Sequence, residues 1–255
     1  MTGGHSSMLL SPLLSIPIDP LSCSNWILSA SGVEVSVYHR ERLPRTKRVL
    51  VVSNHRSIMD APLLMKALGR PVRFACHHYM SQVPGLREIV TALGCVPLDE
   101  PGQQKSFFQR AEDLLRSQQA VGIFPEGAKP MIQVPPRDSF NEFHRGFAHL
   151  ALRAEVSDLA VLPIAISPSQ ESQNPMAPLQ LFQWFDPSEP MFQQPGWHPL
   201  VLYQKVQVFI GNPIWISEEQ HQQYNGKQAG RLAKELTRAC NDEIADLLRK
   251  SRYFR

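Results

Sequence analysis

From residue 33 onward, short apolar runs alternate with stretches of helical period. Residues 33–38 alternate apolar and polar side chains, the period of a half-buried strand. Residues 49–53 are continuously apolar and β-branched up to Ser53, as in a strand covered on both faces. Residues 61–68 carry helical spacing and stop at Gly69, with Pro71 just beyond. The same pattern predicts a strand over 72–75, a helix over 86–93 ended by Gly94, a short strand over 95–98 and a helix over 106–117. It continues with a strand over 120–124 that ends in Pro-Glu-Gly, a helix over 143–153, and strands over 159–166 and 206–210. Residues 229–252 form a helix with Leu232, Leu236, Cys240, Ile244, Leu247 and Leu248 on one side. Strands alternating with helices of about ten residues predict a single α/β domain, a mixed, largely parallel sheet flanked by helices.

Two stretches fall outside this alternation. Residues 1–32 are rich in Ser, Pro and Leu, and Leu9, Leu10, Leu13, Leu14, Ile16 and Ile18 make an apolar but proline-broken segment. This is expected to be an N-terminal arm that either packs on the domain or touches a membrane. Residues 33–255 are then the domain proper, with its motif-bearing core at 49–166. Within it, residues 167–204 are dense in Pro, Gln and aromatics and show no period, which reads as a long connection. Phe182, Trp184, Phe185, Phe192 and Trp197 argue that this connection is not purely solvated.

A length of 255 residues suits one large α/β domain. The net charge of +3 gives no support to a nucleic-acid partner. Basic residues do cluster locally: Arg40, Arg42, Arg45, Lys47 and Arg48 precede the first buried strand, and Arg249, Lys250, Arg252 and Arg255 end the chain. Cys23, Cys76, Cys95 and Cys240 show no Cys-x-x-Cys spacing and are expected to be reduced core thiols of a cytoplasmic protein. No run approaches the roughly 20 apolar residues of a spanning helix. Any membrane contact is therefore expected to be peripheral.

The buried strand at 49–53 ends in Asn54-His55, and Asp60 follows five residues after the histidine. On one regular helix that spacing puts the two side chains about 140° apart. They meet if His55 lies in the loop and Asp60 in the first turn of the next helix. Ser57 with Asp60 three residues later resembles a capping box, and Pro62 suits a first turn. Asp60 could then be a helix cap beside an idle histidine. The same geometry also lets a carboxylate take one ring nitrogen and leave the other free as a base. No Gly-x-Ser-x-Gly elbow or activated nucleophile is present, so the hydroxyl that His55 would deprotonate belongs to a substrate. A second strand ends in Phe124-Pro125-Glu126-Gly127. Glu126 is expected at the strand end, free to bind hydroxyls or order cations. Lys129, Arg137 and Arg145 follow as candidate phosphate ligands.

Taken in order, these blocks resemble the PlsC-type glycerolipid acyltransferases, such as 1-acylglycerol-3-phosphate acyltransferase. The Asn-His-x4-Asp block is Asn54-His55 to Asp60, and the Phe-Pro-Glu-Gly block is Phe124 to Gly127, followed by Lys129. A Phe-basic-x-Gly helix start appears as Phe143-His144-Arg145-Gly146, and an apolar strand with an internal proline as Leu162-Pro163-Ile164. The resemblance spans about residues 49–166, with an echo at Gly211-Asn212-Pro213-Ile214. It implies transfer of a fatty acyl group from acyl-CoA or acyl-ACP to a lipid hydroxyl at a membrane surface. His55 and Asp60 would be catalytic. Asn54, Phe124, Pro125, Glu126, Gly127, Lys129 and Arg145 would bind substrate, the glutamate block on the acceptor side. No metal or other cofactor is implied. The chain departs from the family where it usually carries a lysine and an arginine for the acceptor phosphate: His77 and Glu100 occupy those places. A carboxylate is a poor partner for a phosphate.

Overall fold

A computed structural model describes residues 19–98, 104–224 and 227–254. The elements run α1 (Pro20–Ala30), β1 (Glu34–Tyr38), β2 (Val49–Ser53), α2 (Asp60–Leu68), β3 (Val72–Cys76), α3 (His78–Gln82), α4 (Leu86–Ala92), β4 (Val96–Pro97), α5 (Gln104–Arg116) and β5 (Ala120–Ile123). They continue with α6 (Lys129–Ile132), α7 (Gly146–Arg153), β6 (Ala160–Pro178), α8 (Leu179–Phe182), β7 (Trp197–Ile210), β8 (Ile214–Trp215), α9 (Glu218–Tyr224) and α10 (Ala229–Ser251). The sheet order is β1-β7-β6-β2-β5-β3-β4, with β8 on the start of β6. Strands β6, β2, β5, β3 and β4 are mutually parallel, while β7 and β8 run antiparallel to β6. This is the mixed α/β sheet that the alternation predicts.

Each face of the sheet buries its own core, so this is a three-layer structure. Leu50 and Val52 of β2 face Phe107 of α5, Phe147 of α7 and the apolar stripe of α10. Val49 and Val51 face α1 and α2 through Leu28, Leu63 and Leu64. A strand covered on both sides has no polar face, which explains why β2 reads as an unbroken apolar run. Gly69 ends α2 with φ +67°, the left-handed cap that glycine adopts without a Cβ clash.

Where the N-terminal arm is described it packs on the domain, and two other expectations change. Asp19 caps α1 by accepting from the Ser22 amide, and α1 packs on α2, with Leu28 buried and the Ser24 hydroxyl on the Met65 sulfur. Residues 1–18 of that arm, with its leucine-rich run, lie outside the described residues, as do Glu100 and Arg255. The stretch 167–204 is not an irregular connection. β6 and β7 continue as a long antiparallel ribbon, and only residues 179–196 form its tip. Bulges at Pro168/Gln170, Gln170/Glu171 and Pro175/Ala177 break the two-residue period, and one face of the ribbon is solvated, so the strand signature is lost from the sequence. Finally, α7 begins at Gly146 rather than at 143, and Phe143 packs into the core from the preceding loop.

Candidate active site

The carboxyl ends of parallel β2, β3 and β5 converge on one cavity of about 570 Å³. His55 enters it from the loop after β2, and Phe124, Pro125 and Gly127 enter from the loop after β5. Its walls are mostly apolar, including Ile58, Ile89, Leu93, Leu98, Phe107 and Phe108. Binding sites of open α/β sheets sit at this end of the strands.

His55 and Asp60 meet as the loop-then-helix layout requires. The His55 Nδ1 lies 2.7 Å from the Asp60 Oδ2. The same oxygen accepts the backbone amides of Arg56 at 2.8 Å and Ser57 at 2.9 Å. The other oxygen, Oδ1, accepts the Tyr203 hydroxyl at 2.7 Å. Asp60 thus orders the loop and the imidazole together, and the two readings of it coincide. Ser57 does not cap α2. Its hydroxyl donates to the Val201 carbonyl and accepts from the Met59 amide. With Nδ1 committed, Nε2 is the nitrogen left for a substrate, and no side chain among the described residues takes it.

The ring plane of His55 is set by stacking. Phe124 lies 4.0 Å from it, at 10°, and Phe74 stacks on Phe124 at 5.1 Å. Gly122 of β5 makes room for this column: a Cβ there would lie 2.2 Å from the Phe74 ring. Gly127 turns the chain after β5 with φ +72°, and the Pro125 carbonyl accepts the His144 amide at 2.9 Å.

Two residues expected to touch the acceptor have other partners. The Asn54 carboxamide is buried; its nitrogen donates to the Ile166 carbonyl at 2.9 Å and its oxygen accepts the Ile166 amide at 2.8 Å. A side chain thereby supplies one more rung of the β2–β6 ladder, just where β2 turns away. Glu126 is turned inward and is 2% exposed. Its Oε1 accepts the His55 amide at 2.9 Å and its Oε2 the Asn141 amide at 2.5 Å. Burial raises its carboxyl pKa, and the two amides oppose that rise. Glu126 therefore holds the backbone that carries the base, instead of being thrown out toward hydroxyls.

Of the expected cations, Lys129 at the start of α6 and Arg145 before α7 are exposed. They are sequence neighbours of the wall residues Ala128, His144 and Gly146 but do not themselves line the cavity. Arg137 pairs with Glu171 at 3.4 Å and donates to the Ser169 carbonyl. Glu171 is also held by a buried two-point contact with Arg56, at 2.8 and 3.1 Å. That pair ties the ribbon to the loop after β2 that carries His55. His77 and His78 lie past the end of β3, not on it, and both line the cavity. His77 pairs with Glu189 at 3.1 Å and faces Asp186 at 3.7 Å, both from the ribbon tip. No Lys or Arg is among the described wall residues. The pattern in the sequence did not single out Tyr203, Arg56, Glu171 or Gly122. Each works through a partner more than 40 residues away, and no local spacing reports that.

A base steered by a buried carboxylate, opening on an apolar cavity, defines a site that can draw a proton from a bound hydroxyl beside a hydrocarbon chain. The acyltransferase family model matches residues 34–167, more than half of the chain, and the protein belongs to that family. Over 146 residues the chain is 29% identical to a probable 1-acyl-sn-glycerol-3-phosphate acyltransferase of Mycoplasma pneumoniae, covering 54% of this chain and 51% of that protein. It is 29% identical over 143 residues to the human 1-acyl-sn-glycerol-3-phosphate acyltransferase alpha, covering 55% and 48%. The chain thus spans about half the length of the relatives it matches. The crystal structure of the 1-acyl-sn-glycerophosphate acyltransferase PlsC from Thermotoga maritima shares the fold, with a TM-score of 0.58 and 17% identity over 91% of this chain and 78% of that one.

Proposed function

We propose that the protein moves a fatty acyl group from an acyl thioester, on coenzyme A or acyl carrier protein, to the hydroxyl of a lysophospholipid. The names of its relatives point to 1-acylglycerol-3-phosphate as the acceptor. The observation that carries this reading is the His55–Asp60 contact through Nδ1, with His55 in the wall of an apolar cavity. Nε2 takes the hydroxyl proton as the oxygen attacks the thioester carbonyl. The C–S bond then breaks, and the imidazolium returns that proton to the departing thiolate. Asp60 keeps the ring in the required tautomer and balances its transient positive charge. Serine and cysteine nucleophiles have no part in this step. The cysteines in the wall support that view: burial drives the Cys76 thiol up to about 12 and raises Cys95 further, so both stay protonated.

The test is acyl transfer from labelled acyl-CoA to 1-acylglycerol-3-phosphate by purified protein. A general base contributes about 10²–10⁴ in rate, and His55→Ala is expected to lose that much while remaining folded. Full activity in His55→Ala would refute the assignment.

A second reading keeps the chemistry and changes the acceptor. It is favoured by the wall itself, where His77, Asp186 and Glu189 stand and where no Lys or Arg is found among the described residues. In this reading an acceptor without a phosphate occupies that part of the cavity. A panel of lysophospholipids, glycolipids and apolar alcohols separates the two, and a strong preference for lysophosphatidic acid would eliminate the second. A non-catalytic lipid-binding role is disfavoured by the intact base–acid pair.

Among the described residues no helix is long and apolar enough to cross a membrane. We place the protein peripherally on the cytoplasmic side of a membrane, because a lysophospholipid acceptor is held in the bilayer by its acyl chain.

A further inference from the structure

The β6–β7 ribbon leaves the body of the sheet beyond Ile166, at the end where His55 lies. Its tip, residues 179–196, folds into a small cap. Leu179, Phe182 and Phe192 point inward and pack on Tyr79. Asp186, Ser188, Glu189 and Pro190 of the same cap line the cavity. The outside of the cap exposes large apolar groups among glutamines, prolines and Ser188. Trp184 is 81% exposed, Trp197 58%, Leu181 44% and Phe185 37%. Four large apolar groups within nineteen residues exceed the scattered singles that ordinary surfaces carry. The segment 179–197 contains no Lys or Arg.

The basic cluster lies elsewhere. Residues 45–48 lie at the amino end of β2, the end of the sheet far from His55, while Arg40 and Arg42 follow β1 on the far side of β7, with Arg42 against Ile210. Several of those side chains are also committed: Arg42 donates to the Ile210 carbonyl and Arg48 to that of Ser157. Trp215 shares this far end, paired opposite Ala160 where β6 begins. It is 50% exposed and makes an internal reference.

We propose that the outer face of the ribbon tip docks on a lipid bilayer through Trp184, Trp197, Leu181 and Phe185, and that a neutral headgroup surface suffices. The occupant is set by continuity. The residues that wall the cavity and those that are exposed are neighbours in one cap, so docking of the cap brings the cavity next to the bilayer that holds the acyl chain of the acceptor. This rests on the reading that the substrates carry acyl chains. Aromatic rings sit well at the headgroup level, and with no cation in the segment the attachment is insensitive to salt.

The test uses the full chain with a single tryptophan retained, the other three being changed to Phe. Phosphatidylcholine vesicles with brominated acyl chains serve as the quencher. Trp184 alone is expected to be quenched, equally at low salt and at about 1 M, where the Debye length is about 3 Å. Trp215 alone is expected to stay unquenched. On unlabelled protein, Trp184→Ser with Trp197→Ser is expected to lower vesicle partitioning about tenfold. This second variant also covers the case in which triple replacement disturbs folding. Quenching of Trp215 but not Trp184, attachment only to anionic vesicles that salt abolishes, or unchanged partitioning of the double variant would each overturn the proposal. None of these readouts needs turnover. A protein that docks but transfers no acyl group would therefore refute the catalytic reading and leave this one standing.

Discussion

Tyr203→Phe removes one hydroxyl and keeps the ring that fills the core. That hydroxyl donates to the Asp60 Oδ1 at 2.7 Å, and Asp60 is fully buried. Burial and the neighbouring carboxylate push the tyrosine pKa well above its usual value, so it remains a donor throughout the working range. The base–acid pair does its work with a neutral imidazole and a carboxylate, a state of net charge −1. Protonating the pair removes that charge. A donor aimed at the carboxylate stabilises the charged state, and its loss lets the pair take up a proton at higher pH. A hydrogen bond to a charged group contributes about 1.5–3 kcal/mol. The carboxylate accepts that hydrogen bond whether the imidazole is neutral or protonated, so only part of the contribution separates the two states, and at about 1.4 kcal/mol per pH unit the acid limb of kcat/KM is expected to move up by less than about 1 unit. The limb belongs to the pair as a whole. Two measurements check this: the pH profile of kcat/KM, and the NMR titration of the His55 ring in the resting protein. A folded Tyr203→Phe whose limb and ring titration coincide with wild type would show that the contact does not steer the base.

Glu126→Gln can accept only one of the two amides that Glu126 now holds, leaving the other unpaired at a cost of about 1–3 kcal/mol. The His55 backbone loosens, so kcat is expected to fall about ten- to hundredfold with the acceptor KM little changed. A raised KM with intact kcat would make Glu126 an acceptor ligand instead. Gly122→Ala puts a Cβ 2.2 Å from Phe74 and tilts the column that seats His55, so kcat is expected to drop in a protein that still folds. Normal steady-state kinetics would show that the column is not needed. Asn54→Leu strips the Ile166 amide and carbonyl of their partners, and a chemical melt is expected to show a loss of about 2–6 kcal/mol for the two groups. A stability equal to wild type would exclude that role. Burial lowers the pKa of His198, whose Nε2 faces the Tyr79 hydroxyl. Its unfolded form binds the extra proton first, so this share of stability is complete above about pH 6.5 and is lost as pH falls below that toward the folded value. Melting curves at pH 7.5 and 5.5 check it, since His198→Gln is expected to flatten the slope between them.

Much of the fold was legible because its signals are local. The β2 run, the glycine stops at Gly69 and Gly94, and the one-sided stripe of α10 each report a backbone state or a buried face within a few residues. The ribbon was not legible. Its prolines and bulges erase the period, and its pairing is between strands joined only through the tip. The helix α1 was hidden by proline- and serine-rich surroundings, although Asp19 and Pro20 are an ordinary helix start.

The site divides along the same line. His55 and Asp60 were readable because a loop residue and a first-turn residue five apart meet through short-range geometry alone. The apolar strand-end blocks likewise marked which end of the sheet carries the chemistry. Which face of Glu126 and Asn54 is used, and that Tyr203 completes the Asp60 environment, were decided only in the tertiary structure. These contacts join residues 71, 112 and 143 positions apart. A carboxylate or carboxamide offers its oxygens equally to a ligand or to a backbone amide. Only packing, by burying it beside one partner and excluding water, chooses between them.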